Sequence, residues 1–407
     1  MKRIFYHGLL LFFAVSVIII ACKKDTVTQF PANRPTSNSN PNSNPNSNSN
    51  SNSNYSSIPN TPIDSADFVL IGSLSSPRFG MSAASAGSKI LFAGGIDSSG
   101  YSSRVDIYDT ITKNWSKAEL SVKARQGMAV ATLGSKIFFA GGEDADNGTS
   151  ITSRVDIYDA ATNTWSTSEL SYPRAYLAAV TLGNKIFFAG GASFSYILGG
   201  YTGGLDIVDI YDDNSHSWTE ASLSAGRYEL SATAVGSKIY FAGGIYDIHN
   251  ISSVIDIYDY NSNTWSTSQL QNPRTGHVGI LAGNEIIWAG GAMSSYWNGY
   301  SLYDNAEIRN AGNGISSIEN FSPRADFSGV KTSDKVVFFP GWTNGPDDAS
   351  GNQLDIYDVP SKAWSIRVLR ATFRGEAVVS VNNEIYVAGG QINGSSSFAN
   401  VVWKLKF

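Results

Sequence analysis

Seven arginines recur at 78, 125, 174, 227, 274, 324 and 374, and two places beyond them stand Gly80, Gly127, Tyr176, Glu229, Gly276, Asp326 and Glu376. Three carboxylates and one phenol thus break a pattern that is otherwise glycine, and His277 adds an imidazole nearby. Such side chains carry charge and hydrogen bonds, so they suit ligand recognition. The arginines, present in every copy, read instead as structure, each paired with nearby carbonyls or carboxylates.

A second group of candidates lies in segments of uneven length: Tyr101; Phe194, Tyr196 and Tyr201; Tyr246 and His249; Tyr296, Trp297, Tyr300 and Tyr303; Trp342. Rings beside Asn and Gly suit a glycan or an extended peptide, whose flat apolar strips adjoin hydrogen-bonding groups. The other use of such rings is to pack the loops on themselves. The expected ligand contacts are therefore Tyr176, Tyr196, Tyr201, Glu229, Tyr246, His277, Tyr296, Trp297, Asp326, Trp342 and Glu376.

Several chemistries are excluded. No phosphate-cradling glycine loop, serine nucleophile elbow or zinc-binding helix is present. Past the N-terminal leader the histidines are His216, His249 and His277, in three different segments, which is poor material for a metal centre. Asp144 with Asp146, and Asp347 with Asp348, match no EF-hand loop. No metal or cofactor is expected. The formal net charge of −5 and the lack of a basic face argue against nucleic acid.

The elements that must position these residues are repeats. Phe92-Ala93-Gly94-Gly95 recurs as Phe139–Gly142, Phe188–Gly191, Phe241–Gly244, Trp288–Gly291, Phe339-Pro340-Gly341 and Val387–Gly390, with second glycines 47, 49, 53, 47, 50 and 49 residues apart. Asp-Ile-Tyr-Asp stands at 106, 156, 209, 256 and 355, and each tyrosine has a Trp seven residues on. In the fifth unit Ile308 and Ile315 are expected at the Tyr and Trp positions. Short β-rich runs joined by Gly134-Ser135 and equivalent pairs read as hairpins. The double glycine lets the chain turn where other residues are strained.

This pattern resembles the kelch family, whose repeat folds as one blade of a β-propeller. The resemblance, over residues 66–407, implies an all-β, seven-bladed kelch-type β-propeller of four-stranded antiparallel blades. The segment from Phe68 aligns with the end of a unit and Val401–Lys404 with an Asp-Ile-Tyr-Asp strand, so the N-terminal strand is expected to join the C-terminal blade and close the ring. Tyr and Trp are expected to pack between blades. Arginine to second glycine is 17 residues in six copies and 16 in the last, whereas second glycine to the Tyr position varies as 13, 16, 20, 14, 17, 16 and 13. The variable loops and the arginines should therefore share one end of the wheel.

Some kelch propellers are copper radical oxidases that need a Cys joined to Tyr; here the single cysteine is Cys22, outside the repeats, and that chemistry is ruled out. Others are sialic-acid mutarotases, a resemblance that would cast Glu229 or Glu376 with Arg227, Arg324 or Arg374 in anion binding and proton transfer. A binding module for a protein or glycan, a sugar-isomerising enzyme and a structural scaffold remain the three readings.

The N-terminus sets the compartment. Lys2 and Arg3 precede an apolar run that ends at Ala21-Cys22, resembling a bacterial lipobox. Residues 1–21 are expected to be a lipoprotein signal peptide and Cys22 the lipidated residue, holding a monomeric propeller to a membrane of the bacterial cell envelope, outside the cytoplasm. Residues 22–65 include an alternating Asn/Ser tract with little to bury, a flexible linker.

Overall fold

The computed structural model describes residues 60–62, 68–121, 125–144, 150–195, 200–247, 250–293, 301–343, 349–369, 373–392 and 398–406. Cys22, the signal peptide and most of the Asn/Ser linker lie outside these residues.

Each repeat folds as one antiparallel sheet. In blade two the order from the centre outward is Ala129–Leu133, Lys136–Ala140, Arg154–Asp159 and Thr164–Glu169. The second strand is covered on both faces, so it reads as an unbroken apolar run, Ile137-Phe138-Phe139-Ala140, all fully buried. The outer strand, Thr-Trp-Ser-Thr-Ser-Glu, meets water along its edge and is polar. Gly134 turns the first hairpin at φ 60°, the left-handed region its sequence demands.

Seven such sheets form the wheel, with blades at 82–119, 129–169, 178–222, 231–269, 278–320, 329–368 and 377–405. The seventh is completed from the other end of the chain: Phe68–Ser73 pairs with Val401–Leu405, giving the order Phe68–Ser73, Val401–Leu405, Glu384–Ala388, Ala377–Val381. A core of Ile90, Phe92 and Tyr108 from blade one with Val379, Tyr386 and Val402 from blade seven seals the joint. The expected all-β propeller and its closure are both present. One strand was not anticipated: Asn60–Pro62 lies parallel to Ala363–Val368 as a fifth strand on blade six.

Tyr and Trp divide the labour between and within blades. Tyr158 and Trp165 are cross-strand partners with ring centroids 5.1 Å apart. Tyr211 reaches Phe138 of the preceding blade at 5.1 Å, and Tyr258 reaches Phe187 at 5.0 Å. Each fully buried ring of this kind is worth about 1.5–3 kcal/mol in area removed from water. Blade five departs from expectation: Ile308 is buried but pairs with Ser317, and Ile315 sits 68% exposed in the turn. The turn is no longer than in the other blades; by strand register Arg309 and Ser316 occupy the Tyr and Trp positions, and Ile308 stands at the place of Ile157.

Candidate functional site

Six of the seven arginines are fully buried. Arg174 meets Asp209 at 2.8 Å, and Arg78, Arg125, Arg227 and Arg324 pair likewise with Asp106, Asp156, Asp256 and Asp355. Arg125 also donates to the carbonyls of Gly141 and Arg154, both at 2.9 Å, while Asp156 accepts the Ser121 backbone N–H at 2.9 Å. Burial pulls the Arg125 guanidinium below its ordinary value and Asp156 pulls it back. In blade five Glu307 takes the aspartate's place, and Arg274 donates to Asn305 Oδ1 at 3.1 Å under the Tyr303 ring. Arg227 and Arg324 are thus internal struts, closed to a ligand at the mouth.

The end of the wheel where the arginines enter is also the end from which the variable loops leave. Bridges between Phe79 and Ile96, Ala175 and Ala192, Tyr228 and Ile245, Thr275 and Ala292, and Ala325 and Trp342 join the residue after each arginine to the residue after each second glycine. The double glycine is what permits this crossing: a Cβ on Gly141 would lie 2.3 Å from the Arg174 carbonyl oxygen.

At the centre of this end, seven residues adopt positive φ: Gly80 (65°), Gly127 (63°), Tyr176 (56°), Glu229 (54°), Gly276 (58°), Asp326 (50°) and Gly375 (64°). Backbone hydrogen bonds link them around the channel: Gly80 N–H to Gly375 O at 2.8 Å, Tyr176 to Gly127 at 2.9 Å, Glu229 to Tyr176 at 3.0 Å and Asp326 to Gly276 at 2.8 Å. A side chain at such angles costs about 1 kcal/mol or more. Tyr176, Glu229 and Asp326 therefore stand where glycine would be easier, which marks them out.

Two sequence alignments need correction here. The seventh unit is one residue shorter, so Gly375, not Glu376, occupies the ring position. By the same register Arg374 pairs with Gln391 as Gln126 pairs with Glu143, and Phe373 stands at the place of Arg125. Glu376 instead takes the place of Met81, Leu177 and Leu230 against the second glycine of its own blade, 4% exposed. Neither of its carboxylate oxygens has a hydrogen-bond partner among the described residues. Burial pushes its carboxyl up to about 7. His277 has the same position in blade five: it is buried, its Nε2 lies 2.9 Å from Ser231 Oγ, and burial with Arg274 and Arg227 nearby pulls it down to about 3, so it is neutral.

The three ring side chains meet different surroundings. Tyr176 Oη donates to Glu143 Oε1 at 2.8 Å; Tyr101 Oη does so at 3.2 Å and the Gln126 amide contacts the same oxygen. Burial, with Glu143 beside it, pushes Tyr101 up to about 12. Glu229 accepts from Thr275 Oγ1 at 2.8 Å, and burial, then repulsion from Asp326, raises it to about 7. Gly276 lies between the two acids, where a Cβ would come within 2.5 Å of Asp326 Oδ1. Glu143 was missed from sequence. The signal was the residue after each second glycine, Ile96, Glu143, Ala192, Ile245, Ala292, Trp342 and Gln391, another uneven series around the same mouth.

On the rim, Trp342 is 44% exposed and the Arg374 guanidinium lies 4.9 Å over its ring. Tyr246 is partly buried and accepts from Ser252 Oγ at 3.0 Å. Tyr196, Tyr296 and Trp297, and the side chain of Tyr201, fall outside the described residues. Among the described residues no group of three or more His, Cys, Asp and Glu is arranged to hold a metal ion.

Two family models match this chain: the KLHDC2/KLHL20/DRC7 Kelch-repeats domain over residues 66–191 and the Kelch motif over residues 226–268. No curated protein matches it. The molecule is a seven-bladed propeller carrying kelch repeats, and the remaining repeats build blades of the same construction. Kelch propellers as a class mediate protein interactions.

Proposed function

We propose that this propeller is a protein-binding module that engages its partner over the loop-bearing end, centred on Tyr176, Glu229 and Asp326. The observation that carries the reading is the strain these three residues accept in a ring whose other four members are glycine. The backbone gives no reason for it, since glycine satisfies the same backbone hydrogen bonds. Trp342 and the loop aromatics would widen the contact, and a glycan is the other ligand class such rings accept.

The lipobox-like Ala21-Cys22 and the Asn/Ser tract support placing this module at a bacterial cell envelope, outside the cytoplasm, on a lipid anchor and a flexible stalk. A fatty-acid analogue fed to expressing cells should label the wild type and not Cys22→Ser.

The binding reading is tested with the triple variant Tyr176→Gly, Glu229→Gly, Asp326→Gly, whose glycines relieve strain. It should fold as wild type by near-ultraviolet circular dichroism yet lose capture of partner proteins from an envelope extract. Identical capture by both proteins would count against the ring.

A further inference from the structure

We propose that Arg374 and Trp342 form a subsite for the carboxylate of a single Asp or Glu in the partner protein, an inference that rests on the loop-bearing end being the binding face. Arg374 is an arginine released from the structural set. Where blade two pairs Arg125 with Asp156, blade seven has Phe373 and, opposite Val387, Trp403, so no internal carboxylate is provided at that place. The shortened unit moves Arg374 one position on, to the rim positions held elsewhere by Gln126 and Thr275. Those two side chains reach inward to Glu143 and Glu229.

The guanidinium is set for bidentate recognition. It lies over the Trp342 ring, and among the described residues it has only one hydrogen bond, to Thr343 Oγ1 at 3.4 Å, and no carboxylate partner. Its remaining N–H donors lie in the plane where a carboxylate binds through two parallel bonds, while the exposed indole offers an apolar face to the short stem that carries it. The six buried arginines, five of them paired with aspartates and all closed to solvent, cannot compete for the same group.

The surroundings favour a peptide over an acidic sugar chain. Glu229 and Asp326 lie at the same mouth, so a run of anionic units would be repelled there, whereas a peptide can place one acid on Arg374 and offer N–H donors or a basic side chain to those carboxylates.

The test is an array of short peptides of random sequence, with trigalacturonate and neutral trigalactose spotted beside them, probed with the full chain as wild type, R374Q and R374K. The wild type should retain a set of peptides that share one Asp or Glu position, R374Q should retain that set about tenfold or more weakly, and R374K should fall between. Near-ultraviolet circular dichroism should show R374Q folded as wild type. Equal retention of the set by folded R374Q overturns the subsite while leaving the loop face standing. No peptide retained by wild type overturns both, and trigalacturonate held in preference to every peptide overturns the assignment to a protein partner.

Discussion

Glu376 shows what one residue in the wrong chemical class does to this fold. It fills a slot that holds Met81 in blade one and Leu177 in blade three, and burial raises its carboxyl from 4.5 to about 7. The folded protein therefore keeps a proton that the unfolded chain releases. Its contribution to stability is intact below about pH 4.5, falls as pH rises towards 7 and levels off above it, a loss of roughly 3 kcal/mol at most. Glu376→Gln should flatten that slope and be the more stable protein at pH 8, checked by urea unfolding across this range. Glu229 adds a slope of the same sign, so the variant retains part of it. Glu376 was read from sequence as a mouth residue because counting from Arg374 by identity ignores a one-residue deletion. The backbone angle of Gly375, its bond to Gly80 and the pairing of Arg374 with Gln391 reveal the true register.

Within a blade, the arginine–aspartate strut and the double glycine act together, the first fastening the entering chain to the third strand and the second letting it cross. Asp156→Asn leaves Arg125 buried without its counter-charge and should cost about 3–5 kcal/mol by urea unfolding. Arg374→Ala breaks no such pair and should shift unfolding little. Gly141→Ala places a Cβ 2.3 Å from a carbonyl oxygen at φ 66° and should destabilise the protein by several kcal/mol on the same measurement. These elements were legible in sequence because hairpin turns, double glycines and cross-strand aromatics have local causes. The strut was legible only as a repeated arginine; its partner became certain when the strands paired and brought Asp156 into reach. Blade five escaped the pattern because Ile308 and Ile315 keep the seven-residue spacing one place too early: the strands put Arg309 and Ser316 at the Tyr and Trp positions and leave Ile315 in the exposed turn.

Across the whole molecule the number of blades and the closure of the ring followed from the period and from the half-unit at each end of the chain. The mouth did not follow as readily, because its chemistry lies where repeats differ, and Glu143 became visible only once Tyr101, Gln126 and Tyr176 converged on it. Closure itself is testable. A chain lacking residues 1–76 leaves Val401–Leu405 with an open edge and strips Leu74 from the joint between blades one and seven. It should lose its sharp unfolding transition and self-associate, seen by light scattering during size-exclusion chromatography.

The pairing of Phe68–Ser73 with Val401–Leu405 also orders events during synthesis. The first strand of the wheel leaves the ribosome long before its mate exists, and it carries Val69 and Leu70 on an unsatisfied backbone for the whole of that interval. Six blades can assemble without Val401–Leu405, but the seventh cannot finish until that strand is present. The nascent chain is most vulnerable to misassociation at its oldest end, where a holding chaperone would have most to protect.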